Sequence, residues 1–168
     1  MNKIAVIIAT LCMAGWAHAA LKPGDSLSPY EVQNVDTGKQ YCQVCAYGAK
    51  AAKIVAFGKL NDEAFWSDLN KLQALQDSYR NLGVFAQVID SNDAKAIKAA
   101  ADKHGIKFPV VFAVKKDWDK AYQVHGISRT IYYARQDNQI LWTSTSGLDQ
   151  ATSTQLASKV KKDLAGQS

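Results

Sequence analysis

The chain has 168 residues, with 20 lysines and arginines against 15 acids and a formal net charge of +5. The basic residues are scattered, apart from a short "SKVKKDL" cluster near the end. That pattern describes a solvated surface and argues against a nucleic-acid partner.

Residues 1–19 read as a secretory signal peptide. Lys3 gives a basic start, residues 4–15 form an apolar core, and Ala17-His18-Ala19 supplies a small-x-small cleavage pattern. The core is shorter than the about 20 residues a bilayer span needs. Cys12 lies inside it behind the bulky Leu11, where lipoprotein processing wants a small residue, so it is expected to leave with the signal. Met1 and Met13 leave too, which removes thioether metal ligands. No later stretch is long and apolar enough to span a membrane. The expected product is one exported domain over residues 20–168, periplasmic or secreted, where oxidising conditions let a cysteine pair persist as a disulfide. Nothing in the sequence fixes its oligomeric state.

In chain order, "LSPYEVQNVDTGKQY" alternates around an Asp36-Thr37-Gly38-Lys39 turn and predicts a β-hairpin. "KIVAFGKL" is continuously apolar and predicts a strand buried on both faces. Asn61 or Asp62 caps a helix with Phe65, Leu69, Leu72, Leu75 and Tyr79 at helical spacing, which Gly83 is expected to close. "VFAQVID" (84–90) completes a βαβ unit, whose strands should lie parallel and adjacent. "SNDAKAIKAAADKHG" is a capped helix ending at Gly105, "FPVVFAV" a third strand and "DWDKAYQVHG" a helical turn. "RTIYYARQDNQILWTSTS" predicts a hairpin turning at Asp137-Asn138, and Leu156, Val160 and Leu164 mark a final helix. The order predicts an α/β domain, a mixed sheet with flanking helices and an N-terminal hairpin.

Over residues 22–164 this order resembles the thioredoxin-like superfamily, specifically its redoxin or peroxiredoxin-like branch. The residues that carry the resemblance are the N-terminal hairpin, "KIVAFGKL", "VFAQVIDSND" before a helix, and "IKFPVVFAVKKDWDKAYQVHGISRTIYYARQDNQILW". In peroxiredoxins the resemblance would place a reactive cysteine after the first core strand, and thioredoxins carry their C-x-x-C there. In this chain that loop, residues 57–62, reads "FGKLND" and holds no cysteine. The chain is therefore not expected to be a peroxiredoxin-type peroxidase. Pro109 fits the branch's "fP" position, while Arg129-Thr130 stands where thioredoxins place Pro-Thr. Without a cysteine on the loop, Arg129 is expected to be structural or at the surface.

The only C-x-x-C lies earlier, at Cys42 and Cys45, ahead of the first core strand. In an extended strand, residues three apart lie about 10 Å apart with side chains on opposite faces. A disulfide needs Cα atoms within about 4.4–6.8 Å, so the pair can close only if the chain bends. A helix beginning at Cys42 would favour its thiolate, and Lys50 and Lys53 would push the same way.

Four readings remain open. Cys42 and Cys45 are catalytic, exchanging with protein thiols and disulfides, with Cys42 attacking and Cys45 resolving. Alternatively they form a structural disulfide, although so small a loop removes little chain entropy. A copper or zinc module would need further donors, from His104, His125 or a second subunit. Both histidines read more simply as helix-end residues. The fourth reading is a binding domain without chemistry, using Trp66, Trp118 and Trp142, which otherwise read as core or half-buried. No cofactor is expected, since the missing histidine after Cys45 excludes C-x-x-C-H haem attachment.

Overall fold

A computed structural model of the chain describes residues 20–115, 118–124 and 129–165. The predicted signal peptide and His125 lie outside the described residues.

The N-terminal hairpin forms from β1 (Glu31–Asn34) and β2 (Gln40–Cys42), paired antiparallel with Glu31 opposite Cys42. Asn34 shapes its turn, its Oδ1 accepting the N–H groups of Asp36 at 2.9 Å and Thr37 at 3.0 Å. A single helical turn, α1 (Gln43–Ala46), follows directly. The continuously apolar run becomes β3 (Ala52–Gly58), every residue of which is buried. Asp62 caps α2 (Glu63–Ser78) by accepting the N–H groups of Ala64 and Phe65. β4 (Leu82–Val88), α3 (Ala94–Lys103), β5 (Val110–Ala113), α4 (Trp118–Tyr122), β6 (Thr130–Arg135), β7 (Ile140–Ser144) and α5 (Gln150–Leu164) complete the order.

Gly83 departs from its expected role. The helix ends at Ser78 with Tyr79 as its cap, and Gly83 is the second residue of β4, paired with Lys53. The strand therefore starts two residues earlier than the apolar pattern suggested. A glycine signal was read as a helix stop where it marks a close approach. A Cβ on Gly83 would come within 2.6 Å of the Tyr47 ring.

The described strands form one mixed sheet in the order β2-β1-β5-β4-β3-β6-β7. β3, β4 and β5 run parallel, and β1, β6 and β7 are antiparallel to their neighbours. Side chains alternate between two cores. Ile54 and Ala56 face one cluster and Val55 and Phe57 the other, as do Ile131 and Tyr133 against Tyr132 and Ala134. The crossovers β3-α2-β4 and β4-α3-β5 step in one direction across the sheet, so crossovers of one hand leave both helices on one face. Phe65, Leu69, Ile97, Leu156 and Val160 of α2, α3 and α5 accordingly share the first core. The second core is closed by Leu21 and Leu27 of the N-terminal segment, Val44 of α1 and Tyr122 of α4. Among the described residues no helix is long and apolar enough to cross a membrane.

Candidate functional site

The bend that a disulfide requires is built into "CQVC" itself. Gln43 and Val44 are buried, and Val44 packs in the second core, which pulls the middle of the motif inward. Tyr41 donates through its hydroxyl to the Gln43 side chain and holds it there. The turn closes when the N–H of Gly48 donates to Cys45 O at 2.9 Å. Cys42 and Cys45 are disulfide-bonded, with Cα atoms 5.2 Å apart.

The two sulfurs occupy different surroundings. Cys42 is half-buried against the second core and is the N-cap of α1, its Sγ accepting the Cys45 N–H at 3.2 Å. Cys45 is exposed. That hydrogen bond favours negative charge on Cys42 once the pair is reduced. The axial field of a four-residue helix adds little to it. Exposure alone would select Cys45 as the reachable sulfur, but Cys42 lines a groove of about 350 Å³ together with Pro29, Tyr30, Glu31, Lys115 and Trp118.

Aromatic stacking fixes that groove. Trp118 lies parallel to Phe57 of β3, ring centroids 5.5 Å apart, and stacks on Tyr30 at 6.1 Å. Tyr30 donates to the buried Gln87 side chain, and burial, then Tyr122, raises its pKa, so it stays neutral. Of the described tryptophans, Trp66 is core, Trp142 is partly buried and Trp118 alone shares a groove with Cys42.

Several sequence expectations find other employment. Lys50 donates to Arg80 O at 2.7 Å. Lys53 is fully buried and donates to Gln136 O at 3.0 Å and to Asn138 of the β6–β7 turn. Both ammonium groups are thus committed away from the pair, which corrects the expectation that they favour its thiolate. Burial lowers the Lys53 pKa, partly offset by Asp137. Tyr47 turns inward, donating to Val84 O at 2.8 Å, and burial, then Tyr41, pushes its hydroxyl well above the ordinary range. His104 caps α3, stacks on Trp66 at 5.3 Å and approaches Glu63 at 3.4 Å. Trp66 belongs to the core opposite the one Cys42 packs against, so His104 does not join the sulfurs.

The loop after β3, where the resemblance would have put sulfurs, is filled by charge. Arg129 meets Asp68 at 2.9 Å and approaches Asp62, the α2 cap, at 3.8 Å. Gly147 lies directly on this pair with φ +76°, and a Cβ there would fall 2.1 Å from Asp68 Oδ2. The expectation of a structural Arg129 thus acquires a partner that periodicity had not singled out. Asp68 sits one residue before Leu69, and only its near-complete burial gives it meaning.

Glu31 and Lys115 were also missed. The hairpin's own symmetry would have found Glu31, because counting outward from the Asp36-Thr37 turn pairs it with Cys42. Lys115 carries no such signal.

No protein-family model matches the sequence, and no curated protein is similar to it. Solved structures do resemble it. The thioredoxin domain of a thiol-disulfide oxidoreductase from Bacteroides vulgatus superposes with a TM-score of 0.70 at 12% identity, covering 84% of this chain and 99% of that one. A secreted Mycobacterium tuberculosis disulfide oxidoreductase, homologous to Escherichia coli DsbE, gives 0.64 at 10% identity over 79% of this chain and 95% of its own. A thiol peroxidase from Chromobacterium violaceum gives 0.67 at 14% identity, covering 86% of this chain and 90% of that one. The chain has the thioredoxin-like fold, as the order of its elements implied, with its described cysteines on the outer hairpin instead of the central loop.

Proposed function

We propose that this chain is an exported thiol–disulfide exchange protein that works through Cys42 and Cys45 on protein thiols and disulfides. The observation that carries this reading is the four-residue turn that joins the sulfurs, with Cys42 Sγ accepting the Cys45 N–H and opening onto a groove. In the reducing direction, the Cys42 thiolate attacks one sulfur of a substrate disulfide. The other substrate sulfur leaves as a thiolate and takes up a proton. Cys45 then attacks Cys42 Sγ in the mixed disulfide, releasing the second substrate thiol and restoring the Cys42–Cys45 bond. Two electrons pass from the pair to the substrate, and the reverse sequence oxidises a dithiol.

Export is part of the proposal. It rests on Lys3, the apolar residues 4–15 and Ala17-His18-Ala19, with cleavage after Ala19 and the periplasm or exterior as destination.

The test is reduction of a protein disulfide by wild type and by the Cys42→Ser/Cys45→Ser variant. Loss of the reaction in the variant is the expected result, and an unchanged rate removes the proposal. The packing of Cys42 against the second core favours one rival, a structural staple. Under that rival the double variant loses thermal stability and no redox activity. The reduction potential of the wild-type pair would also fall below about −300 mV, where structural disulfides lie.

A further inference from the structure

Three strand ends place three functional groups together beside the disulfide. Cys42 closes β2, and Glu31 stands directly across the ladder from it in β1. Opposed residues of an antiparallel pair hold their Cβ atoms about 4.5–5.5 Å apart on one side of the ladder. The third group comes from the end of β5. The Val114 N–H donates to the Glu31 backbone carbonyl at 3.1 Å, which delivers the next residue, Lys115, to the same place. Its ammonium lies 3.4 Å from the Glu31 carboxylate, and all three side chains line one groove.

Resting on the exchange reading above, we propose that Glu31 and Lys115 are opposed positioning residues that set the ionisation and reactivity of Cys42. The carboxylate disfavours a thiolate at Cys42, and the ammonium favours one, directly and by neutralising the carboxylate. Among the described residues that line the groove, the other titratable group is Tyr30, which burial holds neutral. Trp118 completes the wall without charge. Without Glu31 and Lys115, the polar contact left to Cys42 Sγ among the described residues is the Cys45 N–H. The pair makes the ionisation of Cys42 adjustable in both directions, because an attacking thiol works best with its pKa near the ambient pH.

The chemistry fixes the signs. Removing the carboxylate in Glu31→Gln stabilises the thiolate of the reduced pair. Removing the ammonium in Lys115→Met destabilises it. Stabilising the reduced form makes a dithiol pair more oxidising, so the two variants should move its reduction potential in opposite directions.

The experiment measures the pH dependence of iodoacetamide alkylation on reduced full-length protein in a Cys45→Ser background, with mass mapping of the alkylated sulfur. At neutral pH, Glu31→Gln should alkylate about two- to fivefold faster, and Lys115→Met slower by a similar factor. Lys115→Arg should restore the wild-type profile, and high salt should shrink both effects. Both side chains are more than half exposed, so their replacement leaves the fold standing. Shifts of the same sign, or no shift in either variant, overturn the proposal, because a merely structural role gives no reason for opposite signs. The exchange reading is tested separately. Wild-type protein that reduces no disulfide, alongside opposed alkylation shifts in the Cys45→Ser series, removes the exchange reading and leaves the tuning in place.

Discussion

Arg129 Nη1 donates to Asp68 Oδ2 at 2.9 Å, and the carboxylate it meets is only 3% exposed. Asp68 lies in the second turn of α2, the helix that follows the β3 loop where the resemblance would have put sulfurs. Lys71 is the only other cation near that carboxylate among the described contacts, at 3.4 Å. Replacing Arg129 by Met leaves a buried charge with that weaker partner and should cost about 3 kcal/mol of folding stability, read by urea denaturation. Disulfide reduction per folded molecule should be unchanged. A loss of exchange in folded Arg129→Met protein would mean that the central loop still takes part in the chemistry.

Gly83 and Tyr47 make a second exact fit between distant segments. A methyl at position 83 meets the ring at 2.6 Å, so Gly83→Ala must displace Tyr47 and strain its hydrogen bond to Val84 O. The expected cost is about 2 kcal/mol, measured by thermal or urea unfolding. Tyr47 is also the cap that ends α1, so the turn holding the disulfide should loosen. Faster reduction of the disulfide by dithiothreitol in Gly83→Ala would report that loosening, and an unchanged reduction rate would show that the turn holds without the ring.

The buried tyrosines set an alkaline limit. Burial pushes the Tyr132 hydroxyl up to about 12, and burial also raises Tyr30, Tyr47, Tyr122 and Tyr133. In the unfolded chain these groups ionise near about 10. Between the two values the folded protein keeps protons that the unfolded chain has released, so stability falls as pH rises. The contribution is fully present below about pH 10 and is lost progressively above it. Lys53 runs the other way, since its lowered pKa relieves a burial penalty as pH approaches the unfolded lysine value. Five phenols outweigh one ammonium, so urea midpoints should drop steeply above about pH 10. A flat profile between pH 9 and 11 would contradict the burial of these hydroxyls.

Much of the fold was legible because it depends on patterns with a period. β3 and the helix carrying Phe65, Leu69 and Leu72 declare themselves through burial on one or both faces, and the turn at Asp36-Thr37 through its side chains. What stayed hidden depends on contacts across the fold. Gly83 looks like any helix-ending glycine until Tyr47, 36 positions earlier, is laid on it. Asp68 looks like a solvated helix residue until Arg129 arrives from the start of β6. Lys53 was expected to favour the Cys42 thiolate and is instead buried and tied to the β6–β7 turn. For the site, the spacing of Cys42 and Cys45 was visible, but which groups surround Cys42 depended on hairpin register and on where β5 ends.

The edge position of β2 has a consequence for who can reach the protein. Four strand steps, roughly 19 Å, separate the disulfide from the central loop after β3. A reductase shaped to probe that loop would meet the Asp62 carboxylate and the Arg129 guanidinium, and come away without finding sulfur. Under the proposed exchange, a partner thiol therefore has to approach along the rim of the sheet, where β2 places Cys42.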